Sequence, residues 1–390
     1  MSAESNPYEG MRIKVYEWPE AVRRRPGMYV GSTGERGLRE LVFAVSERAV
    51  MEILAGRAGR LEVILRSDGG VRVVDDGPGI RVEGEGDADS PGLEAVLTRP
   101  GTGGRLDSTR SYFGVGPDTA NALSSRLVAE VRRDGVRWVQ EYVRGVALAP
   151  PARAGSTAGS GTTVTFWPDA EIFGATEFSY DGLAERFREL AFLNRGVDIS
   201  LTDERHPGEP RAERFRFPGG ARDFVTFLDG RTFLDGRGED PVHPEVVGVT
   251  REEPGMAGMM DVAWRWHRSP EPRVRAFANC RPTPGGGTHQ LGFLDGVAAA
   301  VNTYARERRL LTANDPDLDA DLVARGLTAV VSVSLERAEF EGSTCDRLGN
   351  TAVRACVARA VEERLGRWLA EYPAGAAAVV DRILQPARGD

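Results

Sequence analysis

The 50 basic side chains of the sequence are all arginine except Lys14. A phosphate loop of the G-x-x-x-x-G-K-[ST] type and a Schiff-base enzyme each need a lysine, so both are excluded unless Lys14 supplies it. Cys280, Cys345 and Cys356 are too widely spaced for a zinc site or a disulfide framework, and read as free thiols of a reducing compartment. His206, His243, His267 and His289 show no metal-ligand spacing either, so no metal is expected. What remains is carboxylate and guanidinium chemistry. Glu40 and Glu47 stand four residues before and three after Ala44, so a helix places all three on one face and offers two carboxylates for general-base work. The plainer reading pairs Glu40 with Arg36 or Arg39 on a solvated surface. Arg48 would hold an anionic group, phosphate or carboxylate, or form a structural ion pair with Glu47, Glu52 or Asp76. Asp75-Asp76-Gly77-Pro78-Gly79, taken alone, is the composition of a β-turn. Cys345 offers a nucleophile, or is simply a buried thiol.

These residues are carried by a chain of 390 residues, enough for two or three domains at about 150 residues each. With 41% hydrophobic and 28% charged residues, no apolar run approaching about 18 residues and no charged-then-apolar leader, the chain reads as globular and cytoplasmic, with no membrane segment. Its net charge of −8 argues against strong DNA contact by the whole surface.

Residues 37–56 place apolar side chains at helical spacing, with Gly56 as C-cap. RLEVILR and GVRVVDD, joined by SDGG, read as a hairpin. The Gly/Asp/Pro-rich stretch 77–118 has no regular pattern and reads as a functional lid. Strands are expected at Leu127–Val131, Arg137–Val143 and Thr162–Trp167, with a loop at 154–161, then a helix at Tyr180–Leu193 and a strand at Asp198–Leu201. The polar segment 203–220 reads as a boundary. Beyond it come strands at Val246–Thr250, Asp261–Trp266 and Val274–Asn279, a helix at 291–309, a strand at 327–335 and a helix at 349–370. Helices and strands mix without strict βαβ alternation, which favours an α+β fold over a doubly wound sheet.

Eight ordered strings carry a resemblance over nearly the whole chain: NPYEGMRIKVYEWPEAVRRRPGMYVGSTGERGL, VVDDGPGI, FGVGPDTANALSSRL, GTTVTFWPD, ELAFLNRGVDISLTDER, GGGTHQLGF, RGLTAVVSV and FEGSTCDRLGNTAVR. In these the sequence resembles the N-terminal half of the DNA gyrase B family. The resemblance implies a dimerisation arm at 1–20, a GHKL (Bergerat) ATPase-type α/β sandwich at 21–203 and a ribosomal-protein-S5-like transducer domain at 221–390. It implies a homodimer in which Tyr8 and Ile13 of the arm approach the neighbour's nucleotide. It makes Asp75 the acceptor for an adenine amino group, with Thr162 beside it and Gly77 and Gly79 allowing close approach. Gly114 and Gly116, with Arg105 of the lid, would serve the phosphates.

The departures from the family pattern are concentrated in its chemistry. Ala44 stands where the family has its general-base glutamate, and Arg48 where an asparagine binds magnesium. Ser343 and Cys345 replace the glutamine and lysine that sense the γ-phosphate. Arg110-Ser111-Tyr112-Phe113 replaces part of the phosphate loop, and Arg48 and Val139 replace two contacts of aminocoumarin inhibitors. The resemblance therefore implies a pocket for ATP or another adenine nucleotide without a magnesium requirement, in a non-hydrolysing dimer that lacks topoisomerase activity of its own. Such a protein would act on gyrase or bind a small-molecule ligand, and the expected form is a free-standing paralogue. One alternative is an enzyme of a different reaction, for instance in specialised metabolism, recruiting Asp75, Glu40, Glu47, Arg48, Tyr112 or Cys345. Another is a slow ATPase related to type II topoisomerases.

Overall fold

The computed structural model describes residues 16–84, 92–101, 115–234, 240–342 and 346–384. Two short helices, α1 (Glu20–Arg24) and α2 (Gly27–Val30), lead into the long α3 (Glu35–Leu54). The hairpin β1 (Leu61–Leu65) and β2 (Val71–Asp75) follows, then α4 (Leu93–Thr98) and α5 (Pro117–Ala122). Next are β3 (Ser124–Arg133), β4 (Val136–Val143), β5 (Val146–Ala147), β6 (Ala152–Ser156) and β7 (Gly161–Pro168). Helices α6 (Ala170–Phe173) and α7 (Tyr180–Leu193) precede β8 (Ile199–Asp203) and β9 (Arg211–Phe215). These strands form one sheet in the order β5-β4-β3-β7-β2-β1-β8-β9, with β6 beside β4. Only the β1–β8 pair in it is parallel.

The sheet buries one face. In β1, Leu61, Val63 and Leu65 are fully buried while Glu62 and Ile64 between them are half-exposed, the alternation of a strand with helices on one side. Leu38, Leu41, Val42 and Val45 of α3 and Phe187 and Leu190 of α7 join the same core. Each such fully buried Leu, Val or Phe contributes about 1.5–3 kcal/mol relative to an exposed one. Helix α7 matches its expected limits, with Ser179 as N-cap accepting from the Gly182 amide at 3.1 Å.

Four expectations need correction. Helix α3 ends at Leu54, with Gly56 two residues past it at φ 71°. The stretch 77–118 is not without pattern, since it holds α4 and the start of α5. The expected loop 154–161 contains the end of β6, and the polar segment 203–220 contains β9, an edge strand of the first sheet. The last two are exposed and polar, as edge strands tend to be, which hides them from a hydrophobic pattern.

The second sheet follows α8 (Ala221–Leu234), a helix with no counterpart among the expected elements. Its strands are β10 (Val247–Glu253), β11 (Gly258–Trp266), β12 (Arg273–Ala278) and β13 (Arg281–Pro282). Helices α9 (Thr288–Glu307) and α10 (Ala320–Ala324) precede β14 (Leu327–Leu335), the small hairpin β15 (Phe340–Glu341) and β16 (Arg347–Leu348), α11 (Thr351–Glu371) and α12 (Pro373–Leu384). The order β10-β11-β14-β12-β13 puts β14 at the centre, buried along nearly its whole length, with α8 and α9 both packing on it.

The two sheets are joined through α7 and α8. Phe192 stacks on Phe217 at 3.8 Å and on Phe224 at 4.6 Å between centroids. Glu189 of α7 pairs with Arg275 of β12, and Arg186 donates to the Cys280 carbonyl at 3.0 Å. Asn279 and Cys280, with φ of 49° and 60°, form the two-residue turn between β12 and β13, and it is the carbonyl of Cys280 in this turn that Arg186 reaches.

Candidate functional site

The site forms where two central strands of the first sheet meet α3. Strands β2 and β7 are antiparallel with Val74 opposite Thr163, so Asp75 at the end of β2 lies beside Thr162 near the start of β7. Asp75 Oδ1 accepts from the Gly77 amide at 2.9 Å and the Thr162 amide at 3.3 Å. Thr162 Oγ1 in turn accepts from the Ile80 amide at 3.2 Å. Gly79 makes this loop fold: its φ is 76°, and a Cβ there would come 2.7 Å from the Arg132 carbonyl oxygen. Arg133 Nη1 closes the loop from outside by donating to the Gly79 carbonyl at 2.8 Å.

This arrangement leaves a specific pair of hydrogen-bonding atoms for a ligand. Asp75 Oδ2 makes no hydrogen bond within the described protein, and the Thr162 hydroxyl, having accepted from Ile80, retains its own hydrogen to donate. An acceptor next to a donor fits the edge of an aminopyrimidine-type ring, in which an N–H lies beside a ring nitrogen. Asp75 is only 9% exposed, and burial raises its pKa to about 6 against the pull of the Gly77 and Thr162 amides and of Arg48.

Arg48 comes from the second half of α3 and lines the same cavity as Val45, Asp75, Ile80, Pro117 and Thr162. Its guanidinium reaches Glu52, one turn on, at 3.4 Å, and Glu52 is held more closely by Arg57 at 2.6 Å. Of the three ion-pair partners open to Arg48 in the sequence, Glu52 is therefore the one found. Asp76 instead accepts from the Gly59 and Arg60 amides at 2.7 and 2.9 Å. Burial lowers the pKa of Arg48, with Glu52 and then Asp75 opposing it. The free volume of the cavity is about 20 Å³, space for about one water. A ring-sized ligand enters only if lining side chains move, and Arg48 is the longest of them.

Glu40 and Glu47 lie elsewhere on α3. Neither lines the cavity. Glu47 is buried. Glu40 is half-buried rather than on a solvated surface; burial raises its pKa, opposed by Arg39, by Arg186 of α7, by Arg36 and by Arg281 of β13. Ala44 is fully buried in the core. Tyr8, Arg105, Tyr112, Gly114, Ser343 and Cys345 lie outside the described residues. Gly116 is described and is the N-cap of α5, next to Pro117 on the cavity wall. Val139, half-buried on β4, does not line the cavity.

The apolar wall residues Ala49, Val73, Val96, Leu97 and Val164, and Asp118 beside the cavity, were not singled out in the sequence. Val96 and Leu97 of α4 form part of the cavity wall, and no periodicity marks so short a helix in a Gly/Pro-rich stretch. Asp118, second residue of α5, is 3% exposed, and burial raises its pKa to about 6. An acid in the first turn of a helix is ordinary, so only its burial distinguishes it.

Among the described residues, no group of three or more His, Cys, Asp or Glu side chains is placed to hold a metal ion, and no helix is long and apolar enough to cross a membrane. A second cavity of about 280 Å³ is lined by Arg66, Phe173, Glu177, Phe178, Arg205 and His206. Its arginines are already paired, Arg66 with Asp68 at 3.1 Å and Arg205 with Asp203 at 2.7 Å.

The chain is similar to known proteins over nearly its whole length. The family model described as DNA gyrase B matches residues 220–390. The chain is 41% identical to the DNA gyrase B protein of Streptomyces coelicolor over 98% of its length, and 40% identical to the novobiocin-resistant DNA gyrase B protein of Streptomyces niveus over 97%. It spans 58% of the length of each of these relatives. The structure superposes on the 43K ATPase domain of Thermus thermophilus gyrase B, solved in complex with an aminocoumarin, with a TM-score of 0.80 and 32% identity, covering 95% of this chain and 94% of that one.

Proposed function

The chain belongs to the DNA gyrase B family, and from that premise we propose that it is a binding module that recognises an adenine-type ligand and does not hydrolyse ATP. The observation that carries this reading is the pairing, in one cavity, of a ready recognition edge with the lack, among the described residues that line it, of a general-base carboxylate beside Ala44. Asp75 Oδ2 and the Thr162 hydroxyl face the cavity with hydrogen-bonding capacity to spare. No carboxylate stands at Ala44, and neither Glu40 nor Glu47 lines the cavity.

Magnesium does not fit these residues. A guanidinium is permanently cationic, and Arg48 lines the cavity where a divalent ion would need an oxygen ligand. Hydrolysis therefore lacks both an activated water and charge neutralisation at the transferring phosphoryl group. The loss of a general base alone typically slows such a reaction by about two to four decades. Incubated with ATP and magnesium, the purified protein should release phosphate at the rate of a protein-free control. Turnover that requires magnesium would instead support the slow-ATPase reading.

We also assign residues 1–20 to dimerisation, as the resemblance implies. A short arm with no core of its own is best stabilised against a second chain. Sizing at micromolar concentration should then give a species of twice 42.3 kDa, whereas a species of 42.3 kDa alone would exclude the dimer. The chain spans 58% of the length of its gyrase B relatives, and we propose no topoisomerase activity for it by itself.

A further inference from the structure

We propose that Arg222 and Arg364, with Arg195 beside them, form an anion site at the open edge of the second sheet that takes a phosphate-type dianion. The site is separate from the Asp75 cavity and does not depend on what binds there. Among the described residues β10 pairs only with β11, so its other edge carries no strand. Helices α8 and α11 each send one arginine to that edge. Arg222, in the first turn of α8, donates to the Val246 and Gly248 carbonyls at 2.5 and 2.7 Å. Arg364 of α11 donates through Nε to the same Gly248 carbonyl at 3.2 Å. Gly248 makes room for them, since a Cβ there would come 3.2 Å from Arg222 Cζ.

Covering edge carbonyls accounts for Arg222 but not for Arg364. An unpaired strand edge is commonly blocked by a cationic side chain, and Arg222 alone already bonds both carbonyls. Arg364 adds a second positive charge at an oxygen that already has a partner. Both arginines are half-buried, and neither pairs with a carboxylate among the described residues. Arg195 approaches from the loop after α7 and pairs with Asp261 at 2.9 Å, a carboxylate also held by the Thr250 hydroxyl at 2.8 Å and the Ala221 amide at 3.1 Å. Burial lowers the pKa of Arg222, Arg364 and then Arg195 lower it further, and Asp261 opposes them. Carboxylates adjacent in the chain have other partners. Glu363 pairs with Arg251, Glu253 with Arg251 and Arg359, and Asp223 accepts from the Gly219 amide, while Glu362 and Arg367 are both exposed.

Arg195, Arg222 and Arg364 thus meet Asp261 as their one carboxylate, which leaves a local surplus of positive charge. A guanidinium presents five N–H donors in a planar fork, and Arg222 and Arg364 each keep donors to spare. Two neighbouring forks suit a ligand with three or four acceptor oxygens and two negative charges, which describes a phosphate group. A carboxylate, with one charge and two oxygens, would satisfy only one fork.

The test is calorimetric titration of the full chain with inorganic phosphate, in a buffer otherwise free of it and at constant ionic strength. Saturable binding is expected, and acetate should bind at least about tenfold more weakly. Arg364→Leu and Arg222→Gln, each checked for a native circular dichroism spectrum, should lose at least about tenfold in affinity. Arg382→Gln, which removes an arginine of α12 that donates to the Arg268 carbonyl, should change it by no more than about twofold. Glycerol phosphate separates two sources of the same chemistry: binding equal to that of phosphate points to a phosphomonoester, and no binding points to the free ion. The proposal is overturned if phosphate gives no saturable heat, if acetate binds as tightly, or if folded Arg364→Leu or Arg222→Gln binds phosphate like the unmodified protein. It is overturned equally if Arg382→Gln weakens binding as much as Arg364→Leu does. Adenine recognition stands or falls separately, because none of these probes carries a base.

Discussion

Replacing Asp75 with asparagine should abolish recognition of an adenine-type ligand and, in the free protein at pH 7, increase stability. The first effect follows from the geometry. Asn Oδ1 can keep the Gly77 and Thr162 amides, but the Oδ2 acceptor is replaced by an N–H₂ donor facing the ligand's own donor. Losing a hydrogen bond to a charged acceptor and leaving a buried donor unpaired costs about 3 kcal/mol, roughly a hundredfold in affinity.

The second effect follows from linkage. The folded-state pKa of Asp75 is raised from 3.8 to about 6, so the folded protein holds this proton more tightly than the unfolded chain does. Its stabilising contribution is complete below pH 3.8 and is lost as pH rises from 3.8 through about 6. At pH 7 the ionised carboxylate is therefore a net cost of up to about 3 kcal/mol. Asparagine removes that cost, although Arg48 loses a counter-charge, so a net gain of about 1–2 kcal/mol is expected. Denaturant unfolding of both proteins at pH 4 and pH 7 checks this. The difference between them should be small at the lower pH and favour the variant at the higher one; a variant less stable at pH 7 would contradict the account. A residue that lowers the stability of the free protein is kept most readily where it serves binding.

The second large effect is expected at Gly161. Its φ is 138°, and a Cβ at this position would lie 2.2 Å from the backbone oxygen of Asp75. No rotamer relieves a clash between Cβ and backbone, so β2 and β7 would have to separate at the point where Asp75 and Thr162 are set side by side. Adding backbone strain of about 1–3 kcal/mol to that displacement, Gly161→Ala should lose at least about 4 kcal/mol of stability. Gly155 provides the control, since its φ of 114° is also unfavourable for alanine but no atom lies within 4 Å of where a Cβ would stand. Gly155→Ala should show only the strain. Equal unfolding midpoints for the two variants would mean that the close approach at Gly161 does not matter.

Elements with a strong period and a buried face were legible in the sequence. Helix α7 and strand β14 have the limits expected of them, because apolar residues recur at 3.6-residue spacing in one and run almost unbroken in the other. Helix α8 was not legible, having Gly230 inside it and a Gly-Gly pair before it, and β9 was hidden because an exposed edge strand has no apolar face to show. The site divides in the same way. Asp75, Gly79 and Thr162 were singled out from motif strings, and the antiparallel pairing of β2 with β7 and the hydrogen bonds of Asp75 and Thr162 set them side by side. The choice of Glu52 as partner for Arg48 depends on Arg57 and on side-chain packing. The burial of Asp118 depends on contacts between α5, α4 and α3. Neither is written in local spacing.

We propose recognition of a ligand in this cavity through Asp75 and Thr162, without a metal and without hydrolysis. The most direct test is a titration with ATP, followed by calorimetry in magnesium and again in EDTA, with released phosphate assayed on the same samples. Affinity for ATP should be the same in both conditions, with no phosphate above the protein-free control. Affinity that rises at least about tenfold with magnesium, accompanied by phosphate release, would contradict it.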